Sequence, residues 1–391
     1  MKVCFLTTAF PRWIGDGQAA FVWEAVRAVA RRGVQVEVIA MHSPGLPTSE
    51  YMEGIRVTRP RYWWPERHEL LRKEGAAGLP ATWRKHPLLR TQIVPFLLAH
   101  TLTTTRHARE CDLIHAEWSL SAAAAVASRW LHHRPVLATL QGSDIFQAAG
   151  HPAGALLTRF ALSRCDRITV LSRALQEATA AVGLPVEQIK IIPNGVDTSH
   201  FIPPRDGERE RIILYVGSFI ERKGVRHLLD AMPEFLRAFP SFRLVLIGEG
   251  PEELALRHQA EVLGVAERTA FIGFKPQDEI KDWMQRARVL VLPSLEEGMG
   301  VVLLEALACG TPLVASQIDG IKDVVTPDVG ALVPPADPQA LAEGLRKLLS
   351  KPTRWNEMSL AARERAVGHY DWNHVASQYV ELYKNMIARS E

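Results

Sequence analysis

From Leu292 to Pro312 the chain reads LPSLEEGMGVVLLEALACGTP, and few folds accommodate such a stretch. The apolar run from Arg288 to Leu292 predicts a buried parallel strand, broken at Pro293-Ser294 into a loop in which Gly298 and Gly300 flank Met299. Val301 to Ala308 then predicts a helix stopped by Gly310 and Pro312. Strand, glycine loop and helix in that order leave the unpaired N–H groups of the first helical turn at the strand's carboxyl end. A phosphate or carboxylate is favoured there by hydrogen bonds and by the helix dipole.

Two carboxylates bracket this anion site, Glu297 in the loop and Glu305 more than one turn into the helix. A carboxylate repels phosphate but accepts well from hydroxyls. Hydroxyls beside phosphate suggest a nucleotide sugar. The plainer alternative is a pair of solvated helix-start residues that complement the dipole; the Gly-x-Gly between them weakens it.

The spacing of Glu297 and Glu305, with Gly298, Gly300 and EALACGTP, resembles the E-x7-E signature of retaining glycosyltransferases of family GT4. Other pieces agree in order: Asn194-Gly195-Val196-Asp197 after Ile192-Pro193, Val216-Gly217 to Lys223-Gly224, and the turn Leu246 to Pro251. The resemblance implies an α/β chain of GT-B fold, two Rossmann-like doubly wound domains facing each other across a cleft. It further implies transfer of a sugar from a nucleotide sugar to a hydroxyl acceptor, with the backbone around Gly273 and Lys275 on the base. Glu305 would hold the ribose, and Glu297 with the amides of Met299 and Gly300 the sugar and phosphates.

Bulk properties agree with two domains, since 391 residues exceed one ordinary core. The expected division is 1–200 for an acceptor-side domain, 201–370 for a nucleotide-sugar domain, and 371–391 for a helix crossing back. A formal net charge of +3 gives no reason to expect nucleic acid as a partner. Cys4, Cys111, Cys165 and Cys309 lie in or beside apolar stretches without a C-x-x-C, which predicts reduced core thiols and a cytoplasmic chain. No signal peptide is visible, and no H-E-x-x-H, Asp-x-Asp or paired-His spacing is present to bind a metal, so no cofactor is expected.

In the first half, Val3 to Thr7 predicts a strand, followed by the loop FPRWIGDGQ, a helix from about Ala19 to Arg31, and a second strand from Val34 to Ala40. Gly15 and Gly17 in that loop allow a ligand close approach, and by resemblance the loop borders the cleft near the acceptor. Residues 55–110 carry eleven Lys and Arg against four Glu, with Tyr62, Trp63, Trp64 and Trp83 interleaved. That mixture suits an anionic membrane surface; a solvated helical hairpin with core tryptophans is the other reading. His115 ends a predicted strand and faces either the cleft or the sheet. Gln141-Gly142-Ser143-Asp144 stands where relatives have His-Gly-x-Asp, so Gln141 would position the donor sugar by hydrogen bonds and could not shuttle a proton.

The stretch Phe201 to Gly207 predicts a proline-rich linker. Beyond it, GSFIERKG joins Gly217 and Ser218 to Arg222 and Lys223. Relatives use an Arg at the position of Ser218, so Arg222 is expected to supply that cation beside Lys223. The resemblance implies a retaining, metal-free reaction, and a lipid-linked or other glycan acceptor of the bacterial envelope is expected at the inner membrane face. A phosphorylase, a sugar-nucleotide epimerase and an inactive envelope-assembly protein are the rivals.

Overall fold

The computed structural model describes residues 1–17, 19–71, 87–146, 152–205 and 209–389. Arg72, Lys73, Glu74, Trp83, Arg84 and Lys85 of the basic segment, Gln18 of the first loop, and Asp206-Gly207 of the expected linker lie outside the described residues. The chain divides into two compact units, Met1–Pro193 with Val375–Glu391, and Asn194–His374.

The first unit is built on eight strands: β1 (Lys2–Thr7), β2 (Gln35–Ala40), β3 (Ser49–Met52), β4 (Ile55–Thr58), β5 (Leu113–Glu117), β6 (Val136–Leu140), β7 (Arg167–Val170) and β8 (Ile189–Ile191). Their order is β3-β4-β2-β1-β5-β6-β7-β8, parallel apart from the antiparallel β3–β4 pair. The central strands are mostly apolar because helices cover both faces. Phe5, Ile114, Leu137 and Ile168 have no exposed surface. Chain direction across the sheet reverses between β1 and β5, and ligands of doubly wound sheets bind at the carboxyl ends beside such a reversal.

The second unit holds β9 (Ile212–Val216), β10 (Arg243–Ile247), β11 (Thr269–Gly273), β12 (Val289–Leu292), β13 (Leu313–Ser316) and β14 (Gly330–Val333). They form a parallel sheet in the order β11-β10-β9-β12-β13-β14. Its reversal falls between β9 and β12, so the loops Gly217–Lys223 and Pro293–Gly300 open from the same edge of the reversal.

Two expectations change. The break between units falls at Pro193/Asn194 instead of in the proline-rich stretch. Asn194 onward is tied into the second unit: the Val196 amide donates to the Tyr370 carbonyl at 2.7 Å, and Arg363 donates to the carbonyls of Thr198 and Phe201. Within residues 55–110, Arg59 is 1% exposed, paired with Glu50 and bonded to the Pro11 carbonyl, and Tyr62 packs edge-on to Phe96 in a buried cluster. Those residues are structural, whereas Trp64 is exposed.

The first unit also buries an unsatisfied imidazole. His100 lies 4.1 Å from the Phe96 ring with neither ring nitrogen hydrogen-bonded, and burial lowers its pKa to about 3. His115 is held near 3 by burial as well. Both are neutral when folded and free to charge when unfolded, so stability is constant above the unfolded pKa of about 6.5 and falls as pH drops below it. Replacing His100→Leu removes one of these liabilities. The variant is expected to melt higher than the parent, with a gap that widens by about 1.4 kcal/mol per pH unit between about pH 6 and pH 4. Calorimetric melting across that range checks it, and a constant gap would show that His100 already charges in the fold.

Candidate functional site

The site in the second unit is assembled where the loops after β9 and β12 meet. The turn Glu221–Lys223 ends at Gly224, whose φ of +64° starts the helix Val225–Ala238. A Cβ there would meet the Pro293 carbonyl oxygen at 2.1 Å, so only glycine lets the loops approach. The contact is fastened by the Leu295 amide, which donates to the Arg222 carbonyl at 2.7 Å. Gly300, at φ +71°, turns the second loop into the helix Val301–Ala308. That helix begins without a side-chain cap, leaving its first amides as donors.

Glu297 and Lys223 form an ion pair across the join, and the Ser294 hydroxyl lies 3.4 Å from the same carboxylate. Burial pushes the Glu297 pKa up, but the charges of Lys223 and Arg222 outweigh it and hold the group below the ordinary carboxylate value. Arg222 lies alongside, and its Nε is buried without a hydrogen-bond partner. The result is two cations for one anion next to a free helix start.

Glu305 sits on the buried side of the helix, 8% exposed, and accepts from Gln277 Nε2 at 3.2 Å. With only that donor, burial raises its pKa to about 7. At the end of β11, the Phe274 amide donates to Glu249 Oε1 at 3.3 Å, and the Phe274 ring is 60% exposed just after Gly273. Lys275 is engaged by Glu279 at 2.7 Å. The Met299 side chain points into the core, its sulfur accepting from the Asn194 amide at 3.4 Å. Ser218 presents its carbonyl to the Tyr215 hydroxyl at 3.0 Å, next to Gly217. Among the described residues no His, Cys, Asp and Glu group could hold a metal ion.

In the first unit a second cluster lies at the carboxyl ends of β5 and β6. The Gln141 amide nitrogen donates to Glu117 Oε2 at 2.8 Å, and Glu117 is 3% exposed. Burial raises Glu117 to about 8, with Asp144 adding repulsion, and raises Asp144 to about 6. Asp144 accepts from the amides of Gly142 and Ser119. His115, expected to face either cleft or sheet, is inside the strand: β5 runs on through Glu117, and the ring is 1% exposed. Its nitrogens are taken by the Tyr383 hydroxyl at 2.7 Å and the Thr139 hydroxyl at 2.6 Å. Such a histidine is structural, not catalytic. In the loop after β1, Gly15 has φ +91° and open space around it, and Asp16, next to Gly17, pairs with Arg12.

Sequence reasoning missed Glu117 as a partner of Gln141, and it missed Tyr379 and Tyr383. The tyrosines, four apart on the final helix, were visible as one buried face.

Removing Lys223 strands a buried carboxylate, so Lys223→Met is expected to destabilise the protein by about 3–5 kcal/mol. The double variant with Glu297→Met should recover most of that loss. Urea unfolding of the four proteins in this cycle checks the coupling, and additive losses would mean that the pair does not hold the loops together.

The geometry has counterparts in known proteins. The family described as Glycosyltransferase Family 4 matches residues 15–200, and that described as Glycosyl transferases group 1 matches residues 197–365. Glycogen synthase of Mycobacterium tuberculosis is 28% identical over 98% of this chain and 94% of its own. Among solved structures, sucrose-phosphate synthase from Thermosynechococcus elongatus superposes with a TM-score of 0.80 at 23% identity over all of both chains. Anabaena HepE in complex with UDP-glucose gives 0.75 at 20% identity over 98% of this chain and all of that one. The two-domain GT-B fold, the paired family matches and the full-length glycosyltransferase relatives agree: the chain is a glycosyltransferase enzyme and belongs to the GT4 family.

Proposed function

We propose that this enzyme moves a sugar from a nucleotide diphosphate sugar to a hydroxyl acceptor with retention of anomeric configuration. The observation that carries this is the junction of the loops after β9 and β12. There the uncapped start of the helix Val301–Ala308, the Arg222 guanidinium with its unbonded Nε, and Lys223 come together. Each is a donor suited to pyrophosphate oxygens. The UDP-glucose bound to the Anabaena neighbour supports the donor class.

In this reading Lys223, Arg222 and the amides around Gly298, Met299 and Gly300 offset the charge that develops on the departing diphosphate. Gly217 and Ser218 line the approach, the backbone at Gly273 and Lys275 meets the base, and Glu297 and Gln141 meet sugar hydroxyls. Gly15 and Gly17 border the acceptor. The bond from the anomeric carbon to the phosphate oxygen breaks on the same face where the acceptor oxygen bonds, and that phosphate oxygen takes the acceptor's proton. With two cations and a helix start at the leaving group, no metal is required.

Glu305 is assigned to the ribose hydroxyls. Its carboxyl, raised to about 7 by burial, accepts with both oxygens, one for each hydroxyl, when ionised. Donor affinity in the parent should therefore rise with pH through about 7, with a proton released on binding at lower pH. A thermal-shift panel of nucleotide sugars identifies the donor by mass action. Calorimetry with that donor is expected to show Glu305→Ala binding weakly and without pH dependence. Parent-like affinity in the variant would refute the ribose role.

For the acceptor we favour a lipid-linked or other envelope glycan, reached at the inner face of a bacterial cytoplasmic membrane. No helix among the described residues is long and apolar enough to cross a membrane. Yet the helix Ile93–Ala108 exposes Val94, Leu98 and Leu102 along one stripe, continued by exposed Arg106. The short helix Arg129–His132 packs beside it and exposes Trp130 and Leu131, and the helix Pro152–Leu162 exposes Leu156 and Phe160. Arg109, Arg159 and Arg164 lie on the same elements or at their ends. Cations at an anionic surface contribute about 1 kcal/mol each. Co-sedimentation with vesicles should rise with phosphatidylglycerol content and fall in Leu98→Glu. Binding indifferent to anionic lipid would end this part of the reading.

A further inference from the structure

The contacts proposed for the diphosphate and the ribose are common to every nucleotide sugar and leave the base open. The ends of β10 and β11 bear on that choice. The turn after β10 is pinned to the loops beside it: the Gly248 amide donates to the Gly273 carbonyl at 3.0 Å, and the Glu249 carbonyl accepts from the Phe219 amide at 2.9 Å. A Cβ on Gly248 would meet the Gly217 carbonyl oxygen at 2.0 Å, and one on Gly250 the Phe219 carbonyl oxygen at 2.3 Å. Glu249, between those glycines, therefore has its backbone held while its side chain is exposed.

That side chain turns toward β11. Glu249 Oε1 accepts from the Phe274 amide at 3.3 Å and lies 3.8 Å from where a Cβ on Gly273 would stand, so no side chain comes between them. The carboxylate thus sits on the backbone that the reading above gives to the base. The ring of the same Phe274 is 60% exposed. An aromatic face stacks on any base and does not discriminate. A carboxylate does discriminate, because it only accepts, and it has lone pairs on both oxygens beyond the one that Phe274 uses.

Along its pairing edge guanine presents two adjacent, parallel donors, N1–H and the N2 amine, which match the two oxygens of a carboxylate. Uracil presents one N–H between two carbonyl oxygens that a carboxylate repels. Adenine and cytosine each present one amine beside a bare ring nitrogen. With Glu249 on the Phe274 amide, a base carbonyl is also denied that backbone donor. Guanine's own carbonyl has another: Lys275, next in the chain, has ammonium N–H groups beyond the one engaged by Glu279 at 2.7 Å.

We propose that the donor's base is guanine and that Glu249 selects it, so that the substrate is a guanosine diphosphate sugar. This rests on the reading above that the backbone at Gly273 and Lys275 meets the base. Phe274 supplies the stacking surface, Glu249 accepts from N1 and N2, and Lys275 donates to O6. The carboxylate keeps its bond to the Phe274 amide throughout, and the pinned turn carries it, so reading the base needs no rearrangement of the backbone.

Calorimetry of the whole protein with GDP, IDP, UDP and ADP tests this. IDP is GDP without the N2 amine, so the parent is expected to bind GDP about tenfold more tightly than IDP, the worth of one hydrogen bond to a charged acceptor. UDP and ADP should bind more weakly than GDP. In Glu249→Gln the side chain offers one acceptor and one donor. The advantage of GDP over IDP should vanish there, and xanthosine diphosphate, with a carbonyl in place of the N2 amine, should overtake GDP. Position 249 is exposed on a turn, so the variant is expected to fold as the parent does. A preference for GDP over IDP that persists in Glu249→Gln overturns the role of Glu249. UDP or ADP binding as tightly as GDP in the parent overturns the guanine assignment and leaves sugar transfer standing. If none of the diphosphates binds, the donor junction itself fails, and the guanine assignment with it.

Discussion

The join between the loops after β9 and β12 is the constraint on which the donor side of this protein depends. Neither loop holds the geometry alone. The first is a short turn, Glu221–Lys223, and the second has no secondary structure between Pro293 and Gly300. The Lys223–Glu297 pair and the backbone bond from Leu295 to Arg222 fix one against the other. Because both partners are largely withdrawn from water, with side chains 16% and 13% exposed, breaking the pair costs more than forming it contributes. The worth of the pair lies in specifying one arrangement. Fixing the loops also fixes Arg222, whose charge acts on Glu297 and whose buried Nε has no hydrogen-bond partner.

The far end of that helix is prepared with equal care. Arg363 donates to the Ala308 carbonyl at 2.8 Å, and Arg209 donates to the carbonyls of Cys309 and Gly310 at 2.5 and 3.1 Å. A helix of eight residues has a modest dipole, and unsatisfied carbonyls at its buried end would be expensive. Two guanidiniums satisfy them and complement the negative pole. The helix can then be short, buried on its apolar side, and open only at its first turn. Thr311, whose hydroxyl accepts from Arg209 and donates to the Met284 carbonyl, ties the same corner to the end of the helix Gln277–Arg286, which begins with Gln277, the partner of Glu305.

How much of this was legible in the sequence follows from the range of the interactions. Strand, glycine loop and helix from Leu292 to Pro312 could be read directly, since apolar runs and glycines act locally. The doubly wound sheets followed from repetition of that pattern. Long-range chemistry was hidden. Nothing local says that Glu297 reaches back to Lys223, or that Arg209 caps a helix one hundred residues away, because such pairs exist only once the sheet order is set. For His115 the sequence left cleft and sheet both open, because a strand ended at residue 115 exposes it, whereas one that runs on through Glu117 buries it. The unit boundary was misplaced because prolines mark irregular backbone, whereas the break is decided by which unit residues 194–201 bond to. The short polar strand β3 gave little signal, as edge strands do.

Three buried glutamates show how one residue type is divided among different tasks. Glu297 has two cations near it and stays charged, suited to orienting hydroxyls beside phosphate. Glu305 has one neutral donor and sits near the midpoint of its titration, so a ligand's hydroxyls can tip it to the ionised form. Glu117 has a neutral donor and a like charge, and keeps its proton at neutral pH. Desolvation acts on all three in the same direction; the neighbours make the difference. Where the proposed diphosphate meets Lys223 and Arg222, a second fixed anion in the same unit would oppose the charge they supply. Within the second unit, holding Glu305 poised to be neutral leaves Glu297 as the carboxylate that Lys223 and Arg222 offset.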